Sequence, residues 1–252
     1  MTPFVFVSDL DHTFVNHDVE EDRQRWELQE KLDAHRQKYG TKIVYATGRS
    51  PQLYQELAVE KQLISPDALV LSVGTEIYMQ GSDTPDTEWV NLLAQNWQRE
   101  TVVKTAAKFP ELKAQPDSEQ RQFKVSFWLE EEYSEKILPE IESELRKYAL
   151  NIKLIYSSGI DLDIVPANSD KGQAMHFLRQ RWEFAAAQTV ACGDSGNDIA
   201  LFATGESRGI IVGNARPELI QWHHQNPNPN RYLAQNICAG GILEGLNHFG
   251  FL

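Results

Sequence analysis

Phe4-Val5-Phe6-Val7-Ser8-Asp9-Leu10-Asp11-His12-Thr13 opens the chain as an apolar run ending on two carboxylates one residue apart. Asp is a poor strand residue, and the carboxyl end of a strand is where an open α/β sheet carries its chemistry. The run therefore predicts a central strand with a site at its end. Four more short runs predict strands beside it: Lys42 to Ala46, Ala68 to Ser72, Thr189 to Cys192 and Gly209 to Val212. Helix-period segments lie between them, a pattern that predicts a parallel, Rossmann-like α/β core. Trp26, Leu28, Leu32 and Tyr39 mark one crossover helix. The i,i+4 pairs Leu53/Leu57 and Tyr54/Ala58 mark another, opening at Pro51, where a missing N–H leaves no bond unmade.

The rhythm changes after Tyr78. Gly81-Ser82-Asp83-Thr84-Pro85-Asp86 is turn-rich, and helix-period segments then run from about Trp89 to Phe109 and from Tyr133 to Tyr148. Phe123 to Leu129 alternates, with its odd positions apolar, and Asn151 to Tyr156 joins Ile160 to Val165 through Ser157-Ser158-Gly159, a hairpin signature. Alternation implies an antiparallel sheet with one covered face. These signals predict a smaller α+β cap at 81–166, inserted into a core made of 1–80 and 167–252.

Composition narrows the function. The chain has 252 residues, 41% hydrophobic and 24% charged, as befits a globular protein with a real core. A net charge of -12 without clustered Lys or Arg excludes a nucleic-acid surface, so an anionic substrate must be met by a metal ion or a few local cations. Cys192 and Cys238 fit no metal-ligand pattern and read as buried thiols of a reducing compartment. With no charged leader before an apolar segment and no membrane-length apolar run, the expectation is a cytoplasmic protein without a membrane partner. Asn226-Pro227-Asn228-Pro229-Asn230 reads as a surface loop.

Four islands of reactive side chains stand at the ends of expected core strands or at a helix start: Asp9-Leu10-Asp11-His12-Thr13, Thr47-Gly48-Arg49, Lys171-Gly172 and Gly193-Asp194-Ser195-Gly196-Asn197-Asp198. Each alone is a weak signal, since such residues also make turns and caps. In this order they resemble the haloacid-dehalogenase-like phosphatases, in which a cap is often inserted between the second and third motifs. Phosphate-ester hydrolysis explains the set. Asp9 suits a nucleophile that takes the phosphoryl group, splitting one hard displacement into two. Asp11 suits an acid that protonates the departing alcohol and then a base toward water. The resemblance also implies that the Asp11 main-chain carbonyl binds metal, leaving its carboxyl free for proton transfer.

Asp9, Asp11, Asp194 and Asp198 around an anionic substrate require counter-charge. A hard divalent cation supplies it, and oxygen ligands from Asp9, the Asp11 carbonyl and Asp194 suit Mg²⁺. Asp198 fits better as a group that orients this shell or pairs with Lys171 than as a direct ligand. Lys171 adds positive charge, and Thr47, Gly48 and Asn197 offer hydrogen bonds to phosphoryl oxygens. His12 reads as structural. Arg49 either holds the phosphate or fixes its loop.

In the cap, Asp161 and Asp163 share one strand face, opposite Leu162 and Ile164, while Lys124 and Ser126 share the polar face of another strand, with Trp128 nearby. Such a face either binds a polyol or is simply solvated. Gly74-Thr75-Glu76-Ile77-Tyr78, Ser157-Ser158-Gly159 with Asp161-Leu162-Asp163, Gly193 to Asp198 and Ala239-Gly240-Gly241-Ile242-Leu243-Glu244 ahead of His248-Phe249 resemble the cyanobacterial and plant sucrose-phosphate phosphatases. The similarity runs from Phe4 to Leu252 and implies hydrolysis of sucrose 6-phosphate, with Gly74, Glu76, Lys124 and Asp163 as sugar contacts. His12 and Ile160 depart from the expected pattern. Alternatives are a capped phosphatase of another sugar or glycerate phosphate, a phosphomutase sharing the aspartyl-phosphate, and a non-catalytic sugar-binding or synthase-docking domain; the last would lack Asp9, Asp11, Lys171 or Asp194, and all four are present. The expected partner is a small sugar phosphate, with a sucrose-phosphate synthase as a further one and a monomer as the assembly.

Overall fold

The structure is a computed structural model that describes residues 2–19, 22–95, 97–203 and 205–252. The chain runs β1 (Val5–Ser8), α1 (Arg23–Tyr39), β2 (Lys42–Ala46), α2 (Pro51–Glu60), β3 (Ala68–Leu71) and β4 (Glu76–Met79) before leaving the large sheet. It continues through α3 (Thr87–Leu93), α4 (Arg99–Ala106), β5 (Lys113–Ala114), β6 (Val125–Trp128), α5 (Glu131–Arg146), β7 (Ile152–Ser157) and β8 (Asp161–Pro166). It returns as α6 (Lys171–Arg181), β9 (Thr189–Gly193), α7 (Ile199–Ala203), β10 (Arg208–Ile211), α8 (Pro217–Gln225), β11 (Arg231–Leu233) and α9 (Cys238–His248).

The large sheet has the order β11-β10-β9-β1-β2-β3-β4, parallel except for β4, which runs antiparallel to β3. β1 pairs with β2 on one side and β9 on the other, so the strand order reverses at β1 and leaves a crevice at its carboxyl end. Near-continuous apolarity follows from this central position. Phe4, Phe6, Ile43 and Tyr45 pack with Leu28, Leu32, Ile242 and Leu246 on one face. Val5, Val7, Val44 and Ala46 pack with Met175, Leu178 and Leu219 on the other.

The small sheet is antiparallel, order β5-β6-β8-β7. Its apolar face, with Val125, Phe127, Leu162 and Ile164, packs on α4 and α5 through Val102, Ile137, Ile141 and Leu145. The β7–β8 turn carries positive φ at Ser158 and Gly159, the left-handed backbone that tight hairpins use.

Two expectations change. The stretch from Trp89 to Phe109 is two helices, α3 and α4, with residue 96 outside the described residues. Helical periodicity on both sides hid the break, and tertiary packing made it. Trp89 and Leu93 pack beneath the large sheet, Val102 and Ala106 in the small unit, and Trp97 touches both clusters. The core sheet also has β4 and β11 beyond the five expected strands; both are short edge strands. No described helix is long and apolar enough to cross a membrane.

Candidate active site

Asp9 follows β1, Thr47 follows β2 and Asp194 follows β9, three adjacent strands, so their side chains meet at the crevice. Lys171 joins them from the first position of α6, whose cap Asp170 accepts a hydrogen bond from the Gln173 N–H (2.7 Å). Gly74, expected against the sugar, has another task. At φ +98° it lies so close to the Asp170–Lys171 backbone that a Cβ would meet the Asp170 carbonyl carbon at 2.2 Å. It lets the third strand's loop abut the start of α6.

Lys171 is 1% exposed and donates to Asp9 Oδ1 (2.6 Å), Asn197 Oδ1 (2.7 Å) and Asp198 Oδ1 (2.7 Å). Burial works to strip this ammonium of its proton, but Asp198 and Asp9 overcome it and hold the group cationic. The other Asp198 oxygen accepts from the Asp194 and Ser195 backbone N–H groups (3.0 and 3.1 Å). Both Asp198 oxygens are thus engaged in holding Lys171 and the Asp194 loop. Asn197, whose carbonyl oxygen faces Lys171, has its amide N–H groups to offer elsewhere.

One oxygen from each of Asp9, Asp194 and Asp198 lies within 4.8 Å of the others, a group able to hold a metal ion. Charge supports the fit. Burial raises Asp9 well above its ordinary value against the pull of Lys171, with Asp198 and Asp194 adding to the rise. Burial and Asp198 push Asp194 up to about 7, although Thr13 Oγ1 donates to it (3.1 Å). Three carboxylates facing one ammonium leave excess negative charge, which a divalent cation on oxygen ligands relieves.

Asp11 departs from the expected picture of a free carboxyl. It receives Arg49 Nε (2.8 Å) and Nη2 (2.7 Å) in a bidentate pair and contacts His17 Nε2 (2.7 Å). Burial works upward on Asp11, but the Arg49 hydrogen bonds and charge, with His17, outweigh it and hold it below the usual carboxylate range. His12 takes the left-handed backbone (φ 59°), and its carbonyl accepts from Asn214 Nδ2 (2.7 Å) and Cys238 Sγ (3.3 Å), a loop-bracing arrangement. Thr47 Oγ1 accepts the Arg49 N–H (3.1 Å), which leaves its own O–H to donate into the crevice; Gly48 lies beside it.

Above these residues lies a cleft of about 550 Å³ whose opposite wall is the polar face of the small sheet. That face is covered and not solvated: Ser126 and Asp163 are buried, and Lys124 is 2% exposed. Lys124 lies 3.4 Å from Glu119 and 3.6 Å from Asp163, which accepts from Ser126 Oγ (2.5 Å). Glu119 Oε1 is buried without a hydrogen-bond partner among the described residues, and Gln115 holds Asp161 (2.8 Å). Gln115, Glu119 and the core residue Arg216 line the cleft and were not legible in sequence, because two lie on an irregular loop and the third follows a strand with no motif. Glu76, the other expected sugar contact, lies outside the lining and pairs instead with Arg121.

Comparison with known proteins places this geometry. The model of the family described as Sucrose-6F-phosphate phosphohydrolase matches residues 2–250. A probable sucrose-phosphatase 2 of Arabidopsis thaliana is 42% identical over 97% of this chain and 59% of its own length. The chain thus spans about 59% of that plant relative. A mannosylfructose-phosphate phosphatase of Agrobacterium fabrum is 31% identical over 82% of this chain and 83% of its own. The crystal structure of the sucrose-phosphatase from Synechocystis sp. PCC6803, in complex with sucrose and phosphate, superposes with a TM-score of 0.91 at 37% identity, covering 99% of both chains.

Proposed function

Because the chain belongs to the Sucrose-6F-phosphate phosphohydrolase family of haloacid-dehalogenase-like hydrolases, we propose that it hydrolyses sucrose 6-phosphate to sucrose and phosphate, with Mg²⁺ as cofactor. One observation carries the reading: a buried nucleophile–lysine–carboxylate cluster and a buried, incompletely satisfied polyol-type face share a single cleft. The named complex with sucrose and phosphate in a protein of this shape supports it.

Asp9, Asp194 and the Asp11 carbonyl would hold the Mg²⁺, which supplies charge neutralisation at the phosphoryl oxygens. Lys171 fixes Asp9 Oδ1 and leaves Oδ2 to attack phosphorus, while the bond from phosphorus to the sugar oxygen breaks. Thr47 O–H, the Gly48 N–H and the Asn197 amide would hold the phosphoryl oxygens, while Lys171, its three N–H bonds engaged, adds positive charge behind Asp9. Asp11 hands a proton to the sugar oxygen, then takes one from the water whose oxygen attacks phospho-Asp9. Arg49 and His17 favour the ionised form that serves the second half, so the acid half requires the carboxyl to leave Arg49 as substrate enters. Lys124, Asp163 and Glu119 would receive the sugar hydroxyls, while Asp198 orients Lys171 and the Asp194 loop.

The division into a core of 1–80 with 167–252 and a cap of 81–166 belongs to the same proposal, with α3 packed on the core side through Trp89 and Leu93. A monomeric assembly and a reducing, cytoplasmic compartment belong to the same proposal, the latter in keeping with two buried free thiols. Docking on a sucrose-phosphate synthase would be tested by co-purification. The main test is phosphate release from a panel of sugar phosphates with Mg²⁺ or EDTA. Turnover of sucrose 6-phosphate, lost with EDTA and restored by Mg²⁺, is expected; hydrolysis confined to a mannosylfructose phosphate would favour the second reading that the Agrobacterium relative suggests.

A further inference from the structure

Glu76 and Arg121 form a close contact between the two parts of the molecule, and neither lines the cleft. Glu76 sits on β4, the edge strand of the large sheet, with its side chain 7% exposed. Arg121 belongs to the loop leading into β6 of the small sheet. Its Nε donates to Glu76 Oε1 (2.6 Å) and its Nη2 to Oε2 (3.1 Å), while Tyr78 O–H donates to the same carboxylate (2.7 Å). Bidentate geometry fixes direction as well as distance. The loop bearing Arg121 is held from the connecting segment as well. Arg99 Nε donates to the Arg121 carbonyl (3.0 Å), and Trp97 Nε1 donates to the Gln122 carbonyl (2.8 Å). Trp97 is also the side chain that packs on both hydrophobic clusters.

Immediately after Arg121 the chain enters the floor of the sugar face. The Arg121 N–H donates to the Lys124 carbonyl (3.0 Å), pairing the two residues across a tight turn. Lys124 then faces Glu119 and Asp163 inside the cleft. The route from Glu76 to the ligand-facing ammonium therefore passes through one side-chain pair and one backbone turn.

We infer that the Glu76–Arg121 pair is a clip that positions the cap's Lys124–Glu119 loop over Asp9, acting on sugar recognition without touching substrate. The inference rests on reading the cleft as that of a sugar-phosphate phosphatase. It assigns Glu76 a positioning role in place of the expected sugar contact. Losing the clip weakens capture of a substrate that needs both walls of the cleft. A small aryl phosphate, which needs only the wall holding Asp9, is spared.

The test uses the full chain with Mg²⁺ and three variants, Glu76→Gln, Arg121→Gln and the double change. Steady-state kinetics would be measured on sucrose 6-phosphate and p-nitrophenyl phosphate, alongside amide hydrogen exchange over residues 113–128. Each single change is expected to raise KM for sucrose 6-phosphate about tenfold, with p-nitrophenyl phosphate kcat/KM within about twofold of wild type. The double change should cost no more than either single, because the pair acts as one unit. Exchange should quicken at 113–128 and stay unchanged in β1 and β9. Arg121→Lys, which keeps the charge and loses the fork, should fall between. Unchanged KM and exchange in both singles would overturn the clip, as would a parallel fall on both substrates. If wild-type protein hydrolyses p-nitrophenyl phosphate but not sucrose 6-phosphate, the substrate reading fails and the exchange pattern alone decides the clip.

Discussion

Two buried lysines, Lys124 in the cap wall of the cleft and Lys171 behind Asp9 on the core side, differ in how fully they are satisfied. Lys171 spends its three N–H bonds on Asp9, Asn197 and Asp198 at 2.6 to 2.7 Å. Lys124, almost as buried, sits at 3.4 and 3.6 Å from its carboxylates, and Glu119 beside it keeps an oxygen without a partner among the described residues. A buried ion pair is held by tight geometry and full hydrogen bonding, and a loose one is unstable unless something completes it. The core cluster is closed within the protein and lacks only a positive charge. The cap cluster lacks hydrogen bonds, which in the proposed function a neutral polyol would supply. On the proposed function, charge chemistry and hydroxyl recognition are divided between the two walls.

The largest expected effect comes from breaking the core side. Asp9→Asn should lower phosphate release by about a thousandfold or more on every substrate. Calorimetric binding of sucrose should survive, because the wall proposed to receive the hydroxyls is untouched. Wild-type turnover in this variant would remove the nucleophile from the mechanism. Lys171→Met leaves Asp9 and Asp198 buried without their cation, so urea unfolding should register a loss of about 3–5 kcal/mol. Lys124→Met should cost less stability, since its ion pairs are longer, and should raise KM for the sugar phosphate more than it lowers kcat, by about 10- to 100-fold. Equal stability losses from the two lysine changes would erase the contrast between the walls.

The smallest expected effect is a shift in pH dependence. Burial raises Asp11 and Arg49 more than reverses it, so Asp11 is ionised down to low pH. In Arg49→Gln the carboxyl should titrate higher. The ionised form needed to take a proton from water is then lost earlier as pH falls, and the acid limb of kcat moves to higher pH. A limb that stays in place in a pH–rate series would mean that Arg49 serves the loop and not the titration of Asp11.

The strands β1, β2, β3, β9 and β10 were legible because each is a buried apolar run whose period needs no partner to be read. The edge strands β4 and β11 were not, since Glu76 to Met79 and Arg231 to Leu233 are only partly buried and become strands by pairing with a neighbour. The break between α3 and α4 lies within one continuous helical period, and only the two separate clusters around Trp97 reveal it.

The same division holds at the site. Sequence alone determined which strand ends carry Asp9, Thr47 and Asp194 and which helix begins with Lys171, because motif chemistry is written in neighbouring residues. It also determined that Asp161 and Asp163 share a face, because strand alternation is a local rule. The tertiary structure decided that Asp11 lies in the grip of Arg49 and that Glu76 pairs with Arg121 outside the cleft lining. Partners 38 and 45 residues apart in the chain are chosen by how the sheets meet, and no local pattern encodes that meeting.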